Sequence, residues 1–109
     1  MGRGERIIAT ITAWPGVTTG TGRFEETEFF LDGTLLGHVH GDAMADIPYP
    51  RGTRDELVAA GRAQPHHIDP ESTWTTRYIT SDGDVDAIVE LIRINYDRVA
   101  ASGPGSPGA

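Results

Sequence analysis

"ETEFFLDGTLLGHVH", residues 26–40, reads as two extended apolar runs joined at Asp32-Gly33. A two-residue type I′ turn needs φ > 0 at both central positions, and Asp followed by Gly tolerates that. Strands are therefore expected over residues 26–31 and 34–40. If the turn is tight, cross-strand partners have numbers summing to 65. Thr27 then faces His38, Glu25 faces His40, and Phe29 lies beside Leu36 on the same face. The other face carries Phe30 opposite Leu35 and Glu26 opposite Val39. Neither face is cleanly polar. His38 and His40, two residues apart on a strand, share one face at a spacing of about 7 Å.

Outward from the hairpin, "AMADIP" (43–48) reads as a third strand after a turn at Gly41-Asp42, and residues 17–23 as a threonine-rich edge strand. Residues 4–13 carry Ile7, Ile8, Ile11 and Trp14 at near-helical spacing with a Pro15-Gly16 stop, although their β-branched content leaves strand open. "TRDE" has the form of a capping box in which Thr53 caps Glu56, and that helix should stop near Gly61. "TWTTRYIT" (73–80) is a further strand, and "GRAQPHHIDP" before it a stiff proline-flanked loop. Ser81 with Asp84 opens the clearest helix, whose Val85, Ile88, Val89, Ile92, Tyr96 and Val99 lie on one face. The expected fold is α+β: an antiparallel sheet of about five strands with two to three helices packed on one side. One domain over 1–100 and a disordered Gly/Pro-rich tail over 101–109 complete the layout.

Composition narrows the function. The chain has 109 residues and a net charge of −7, which disfavours nucleic acid and anionic membranes as partners. Every basic side chain is arginine, so lysine Schiff-base chemistry is excluded. There is no cysteine, which excludes disulfides and thiolate chemistry. No apolar run approaches the roughly 18 residues of a membrane span, and residues 1–16 lack a signal h-region, so a cytoplasmic protein is expected. The edge strand at 17–23 offers a route to a homodimer.

Three readings of His38 and His40 stand side by side. They form an acid/base pair at a pocket floor with Glu25 as orienter. Alternatively, His-x-His chelates a metal with a third ligand from His66, His67 or Asp46. Or both rings merely pack. His66 and His67 are adjacent, so in an extended loop only one of them faces a given site. Trp74 and Tyr78 share a strand face and read first as core.

"GHVHGD", then "RDELVAAGRAQPHH", then "TWTTRYITS", then "DVDAIVELIRINY" resembles the luciferase-type domain family, which includes the luciferase of luminous fungi and many short bacterial proteins. The likeness covers roughly residues 28–96. Its motifs are His-x-His on a strand, a loop with Gly61, Gln64 and His66, and Trp74. Fungal members oxidise a hydroxylated styrylpyrone with molecular oxygen and no bound organic cofactor. The resemblance thus implies a pocket for a small phenolic or pyrone-like molecule, with oxygen as co-substrate and no metal favoured. It implies His38, His40, His66 and Trp74 as the pocket's residues. Joined to the hairpin pairing, this makes His40 the base oriented by Glu25, with His38 and His66 as further acid/base or hydrogen-bonding groups. The loop histidine it matches is His66, not His67. Trp74 would be a wall, Arg62 or Arg77 would hold the resulting anion, and Asp46 stands where fungal members tend to have another histidine. A non-catalytic binding or interaction module remains the alternative. The C-terminal half is also loosely similar to YjbR-type small α+β proteins.

Overall fold

A computed structural model describes residues 1–102. In chain order it comprises α1 (Arg3–Thr12), β1 (Val17–Thr21), β2 (Thr27–Leu31), β3 (Thr34–His40), β4 (Met44–Pro48), α2 (Arg51–Ala59), β5 (Gln64–Pro65), β6 (Trp74–Tyr78) and α3 (Asp82–Ser102). The fold is α+β. Its strands form one antiparallel sheet in the order β1-β2-β3-β4-β6-β5. The sheet has six strands rather than the expected five. The additional one is the two-residue β5, which only its pairing with β6 defines. Of the expected tail, Ala101 and Ser102 end α3, and the rest lies outside the described residues. No helix among the described residues is long and apolar enough to cross a membrane.

The turn at Asp32 (φ 51°) and Gly33 (φ 78°) has the positive dihedrals of the expected hairpin. Its register starts as expected, with Leu31 opposite Thr34 and Phe30 opposite Leu35, and then slips by one. Phe29 pairs with Gly37, Glu28 with His38 and Thr27 with Val39, which leaves Leu36 as the extra residue of a β-bulge. The bulge resolves the mixed faces. Leu36, Val39, Phe29 and Leu31 all turn into the core, while His38 and His40 turn to the open side. Gly37 has φ 156°, and a Cβ there would lie 3.3 Å from the Asp46 carbonyl oxygen. A side chain at this position would therefore meet both an unfavourable dihedral and the neighbouring backbone.

α1 and α3 cover one face of the sheet. Ile7 and Ile11 meet Val85, Ile88, Leu91 and Ile92 over Leu36, Ala45 and Ile47. Val89 and Val99, expected on the same stripe of α3, are partly buried at its margin. The fully buried Asn95 donates from Nδ2 to the carbonyls of Leu36 (3.0 Å) and Pro48 (2.6 Å). It thereby satisfies the bulge residue's carbonyl and fixes β3 and β4 to the helix layer. α2 starts at Arg51 behind Pro50, with no side-chain cap, so the expected Thr53 box does not form. Gly61 (φ 73°) ends the helix as expected, and Arg62 N–H returns to the Leu57 carbonyl at 3.0 Å.

The start of α1 rests on the β3–β4 turn beside His40. Gly4 N–H donates to Asp42 Oδ1 at 2.8 Å, and a Cβ on Gly4 would stand 2.0 Å from the Gly41 carbonyl oxygen. Helix propensity alone would make Gly4→Ala stabilising by up to about 1 kcal/mol. The backbone contact reverses that sign, and a loss of about 2–3 kcal/mol is expected in urea unfolding. An unchanged or raised midpoint would show that α1 does not dock this closely.

Candidate functional site

One cross-strand row builds the floor of the site. Gly20, Glu28, His38, Asp46, Thr76 and Gln64 are successive partners across the sheet. Directly opposed residues of antiparallel strands share a face. His40 follows His38 by two residues and Trp74 precedes Thr76 by two, so both join this face. It is the side of the sheet opposite the helices, and it opens into a cavity of about 570 Å³.

Asp46 is the centre of the floor and is 1% exposed. Thr76 Oγ1 donates to its Oδ1 at 2.7 Å. Oδ2 lies 3.0 Å from His40 Nε2, 3.2 Å from His67 Nε2 and 3.6 Å from His66 Nε2. His40 Nε2 is also 3.0 Å from His38 Nδ1. The Thr76 hydroxyl in turn accepts the His67 backbone N–H at 3.1 Å, tying the loop to the sheet. Burial pushes the Asp46 carboxyl up, but the Thr76 hydroxyl together with His66 and His67 outweighs it and holds the group below its ordinary range. Burial lowers His38 and favours its neutral ring, against the opposing pull of Asp46.

The loop brings both of its histidines to the floor. After Pro65 the chain leaves the sheet and bends at His67 and Ile68 rather than staying extended. The two imidazoles sit 4.6 Å apart with both Nε2 atoms directed toward Asp46. His66 Nδ1 accepts the backbone N–H groups of Ile68 (3.3 Å) and Asp69 (3.1 Å). Its own ring proton is thereby placed on Nε2. The expectation that only one loop histidine reaches the site is corrected: His67 belongs to it with His66.

The walls are apolar. Trp74 is half-buried rather than core, with its ring 5.1 Å from that of His38 and 6.1 Å from that of His66. Phe24 (74% exposed) and Ile68 (77% exposed) stand at the mouth. Large apolar side chains so exposed beside a polar-floored hollow are a composition common to small-molecule and partner-binding surfaces.

Other expected members lie elsewhere. Glu25 does not face His40: it sits exposed in the turn before β2 at φ 65°, because the bulge shifts the register and β2 begins only at Thr27. The carboxylate beside His40 is Asp46, on the neighbouring strand. Arg77 points to the helix side, where it contacts Asp84 Oδ1 at 2.8 Å and the Arg62 carbonyl at 2.7 Å. Neither Arg62 nor Arg77 lines the cavity. Tyr78, on the Trp74 face, is 40% exposed and not core. The clue to the shift was Gly37, since a lone glycine inside a strand pattern signals a bulge.

A family model, the luciferase domain, matches residues 33–95. The chain belongs to the luciferase-domain family. That match runs from the hairpin turn to Asn95 and so takes in the whole imidazole–carboxylate floor and Trp74. Phe24 and Glu28 lie before it. Among curated proteins and among solved structures the chain has no match.

Proposed function

We propose that this luciferase-family domain binds a small, flat, mostly apolar molecule bearing an acidic hydroxyl, such as a phenol, enol or hydroxypyrone, and promotes its oxidation by dioxygen. One observation carries the reading: a His–Asp floor and apolar Trp74, Phe24 and Ile68 walls share one open cavity. Apolar walls with a few convergent polar groups are the usual composition of a small-molecule site. The floor holds the ligand oxygen in its deprotonated form, because an enolate or phenolate gives electrons to oxygen more readily than its parent acid. In such a step the enolate carbon forms a C–O bond to dioxygen, which is reduced to a peroxide. The proton released from the hydroxyl returns to the distal peroxide oxygen, so that ligand plus oxygen equals hydroperoxide.

The test is a thermal-shift screen of phenols and pyrones, in air and under nitrogen, followed by oxygen uptake with each hit. The expected result is a hit that raises Tm and consumes oxygen. Trp74→Ala should weaken its binding about tenfold, the scale of one lost aromatic contact. A hit that binds in the cavity with no oxygen consumed would overturn the oxidative reading and leave a binding module. No hit at all would overturn both.

A further inference from the structure

We infer that the floor is a metal site: His38, His40 and Asp46 bind one divalent first-row transition ion and leave its remaining positions open to the cavity. The inference rests on the proposed function only for what the ion would do, not for its being bound.

Hydrogen bonding alone leaves the cluster ill-matched. His40 Nε2 lies 3.0 Å from both His38 Nδ1 and Asp46 Oδ2. A ring nitrogen carries either one proton or one lone pair. A proton cannot point fully at both neighbours, and a lone pair would face the lone pairs of the carboxylate. Asp46 Oδ2 is meanwhile approached by further imidazole nitrogens from the loop. Lone pairs converging on one cation remove both conflicts. Bonds of about 2.0–2.1 Å in a tetrahedron set ligand atoms about 3.3 Å apart, close to the 3.0 Å that separates His40 Nε2 from His38 Nδ1 and from Asp46 Oδ2.

Charge points the same way. Asp46 is buried, and its partners are imidazoles and a hydroxyl, with no arginine among them. Glu26 and Glu28 add negative potential at His38. A buried anion without a fixed countercharge is costly, and a divalent cation supplies one. The two groups His38–His40–Asp46 and Asp46–His66–His67 meet at this carboxylate. His66 is excluded as a ligand because its Nδ1 accepts backbone N–H groups, which places the proton on the Nε2 that faces Asp46. His67 falls in the second group, with His66, and not with His38 and His40. Two imidazoles and one carboxylate with open positions suit iron(II), cobalt(II) or zinc, not calcium or magnesium. A bound ion would hold a deprotonated hydroxyl at the floor.

The test uses the full chain purified without a histidine tag. Elemental analysis should find close to one transition ion per chain. After chelator treatment, cobalt(II) alone should bind and give visible d–d absorption of four- or five-coordinate character. His38→Ala and His40→Ala should each weaken cobalt binding by at least about 100-fold, beyond the 10–100-fold of outer-sphere changes. His66→Ala should keep the ion. No stoichiometric metal together with no cobalt spectrum from folded protein would overturn the inference. So would cobalt binding equally well to Asp46→Asn, which would mark adventitious imidazole binding. If the protein binds no ion and still oxidises a hit, the metal site falls and the oxidative reading stands. If cobalt binds and no phenol or pyrone does, the reverse holds.

Discussion

Asp84→Ala is expected to destabilise the protein by about 3 kcal/mol at pH 7, more than any surface substitution should. Asp84 Oδ2 accepts the Thr80 N–H (2.8 Å), Thr80 hydroxyl (2.9 Å), Ser81 N–H (3.0 Å) and Ser81 hydroxyl (3.2 Å). Its Oδ1 receives Arg77 Nε at 3.3 Å and Nη2 at 2.8 Å. One carboxylate thus closes the β6–α3 connection, completes the N-terminus of α3 and pairs the arginine of β6. Removing it leaves Arg77 partly buried without its carboxylate and α3 without its cap. The Tm should fall by roughly 12–20 °C for a chain of this size.

The pH dependence has a definite sign. Hydrogen bonds from Thr80, and then the Arg77 guanidinium, hold the Asp84 carboxyl far below the ordinary carboxylate range. A carboxyl depressed in the folded state stabilises fully above its unfolded value, about 3.9, and loses that contribution as pH falls toward the folded value. The gap between wild type and Asp84→Ala should therefore be complete at pH 7 and begin to close below about pH 4. Denaturant titrations at both values measure it. A gap under about 1 kcal/mol at pH 7, or one that grows in acid, would contradict the arrangement.

What could be read from the sequence follows how local each determinant is. Ser81 and Asp84 announced α3 because cap, carboxylate and apolar stripe lie within a few turns of one another. Asp32-Gly33 announced the hairpin for the same reason. Register and partner choice are less local. The slip at Leu36 depends on Asn95, 59 residues away, accepting the task of satisfying its carbonyl. β5 exists only through β6, and its two residues carry no period. α2 obeyed Pro50 over Thr53, because the fixed φ of proline sets the entry before a side-chain cap can act.

At the site the residue types were legible and their grouping was not. His38, His40, His66, Trp74 and Asp46 meet as the motifs suggested. Asp46 stood among the expected ligand contacts, yet its place at the centre follows from the cross-strand row, which no single strand reveals. Glu25 failed because one bulge residue exchanges every partner beyond it. His67 was set aside on the assumption of an extended loop, which the bend at Ile68 removes.

Under the proposed function, Asp46→Asn should reduce ligand oxidation by at least about 100-fold, or about 2.7 kcal/mol, while leaving the fold largely intact. Asparagine has the same size and can still accept the Thr76 hydroxyl, which donates to Oδ1 at 2.7 Å. It loses the negative charge on the atom that His40, His67 and His66 approach. An amide in that place carries no charge, so the rings lose their common anionic anchor. Thr76→Val should cost less, about tenfold, because it removes one donor and leaves the charge. Glu25→Asn should leave oxidation unchanged, since Glu25 lies in an exposed turn at a positive φ that asparagine tolerates. Initial rates of oxygen uptake, with unfolding midpoints measured alongside, separate these outcomes. Full activity in Asp46→Asn, or its loss in Glu25→Asn, would move the reacting centre away from the buried carboxylate. In the proposed function it is the charge at residue 46, rather than the number of histidines around it, that makes this face of the sheet more than a polar surface.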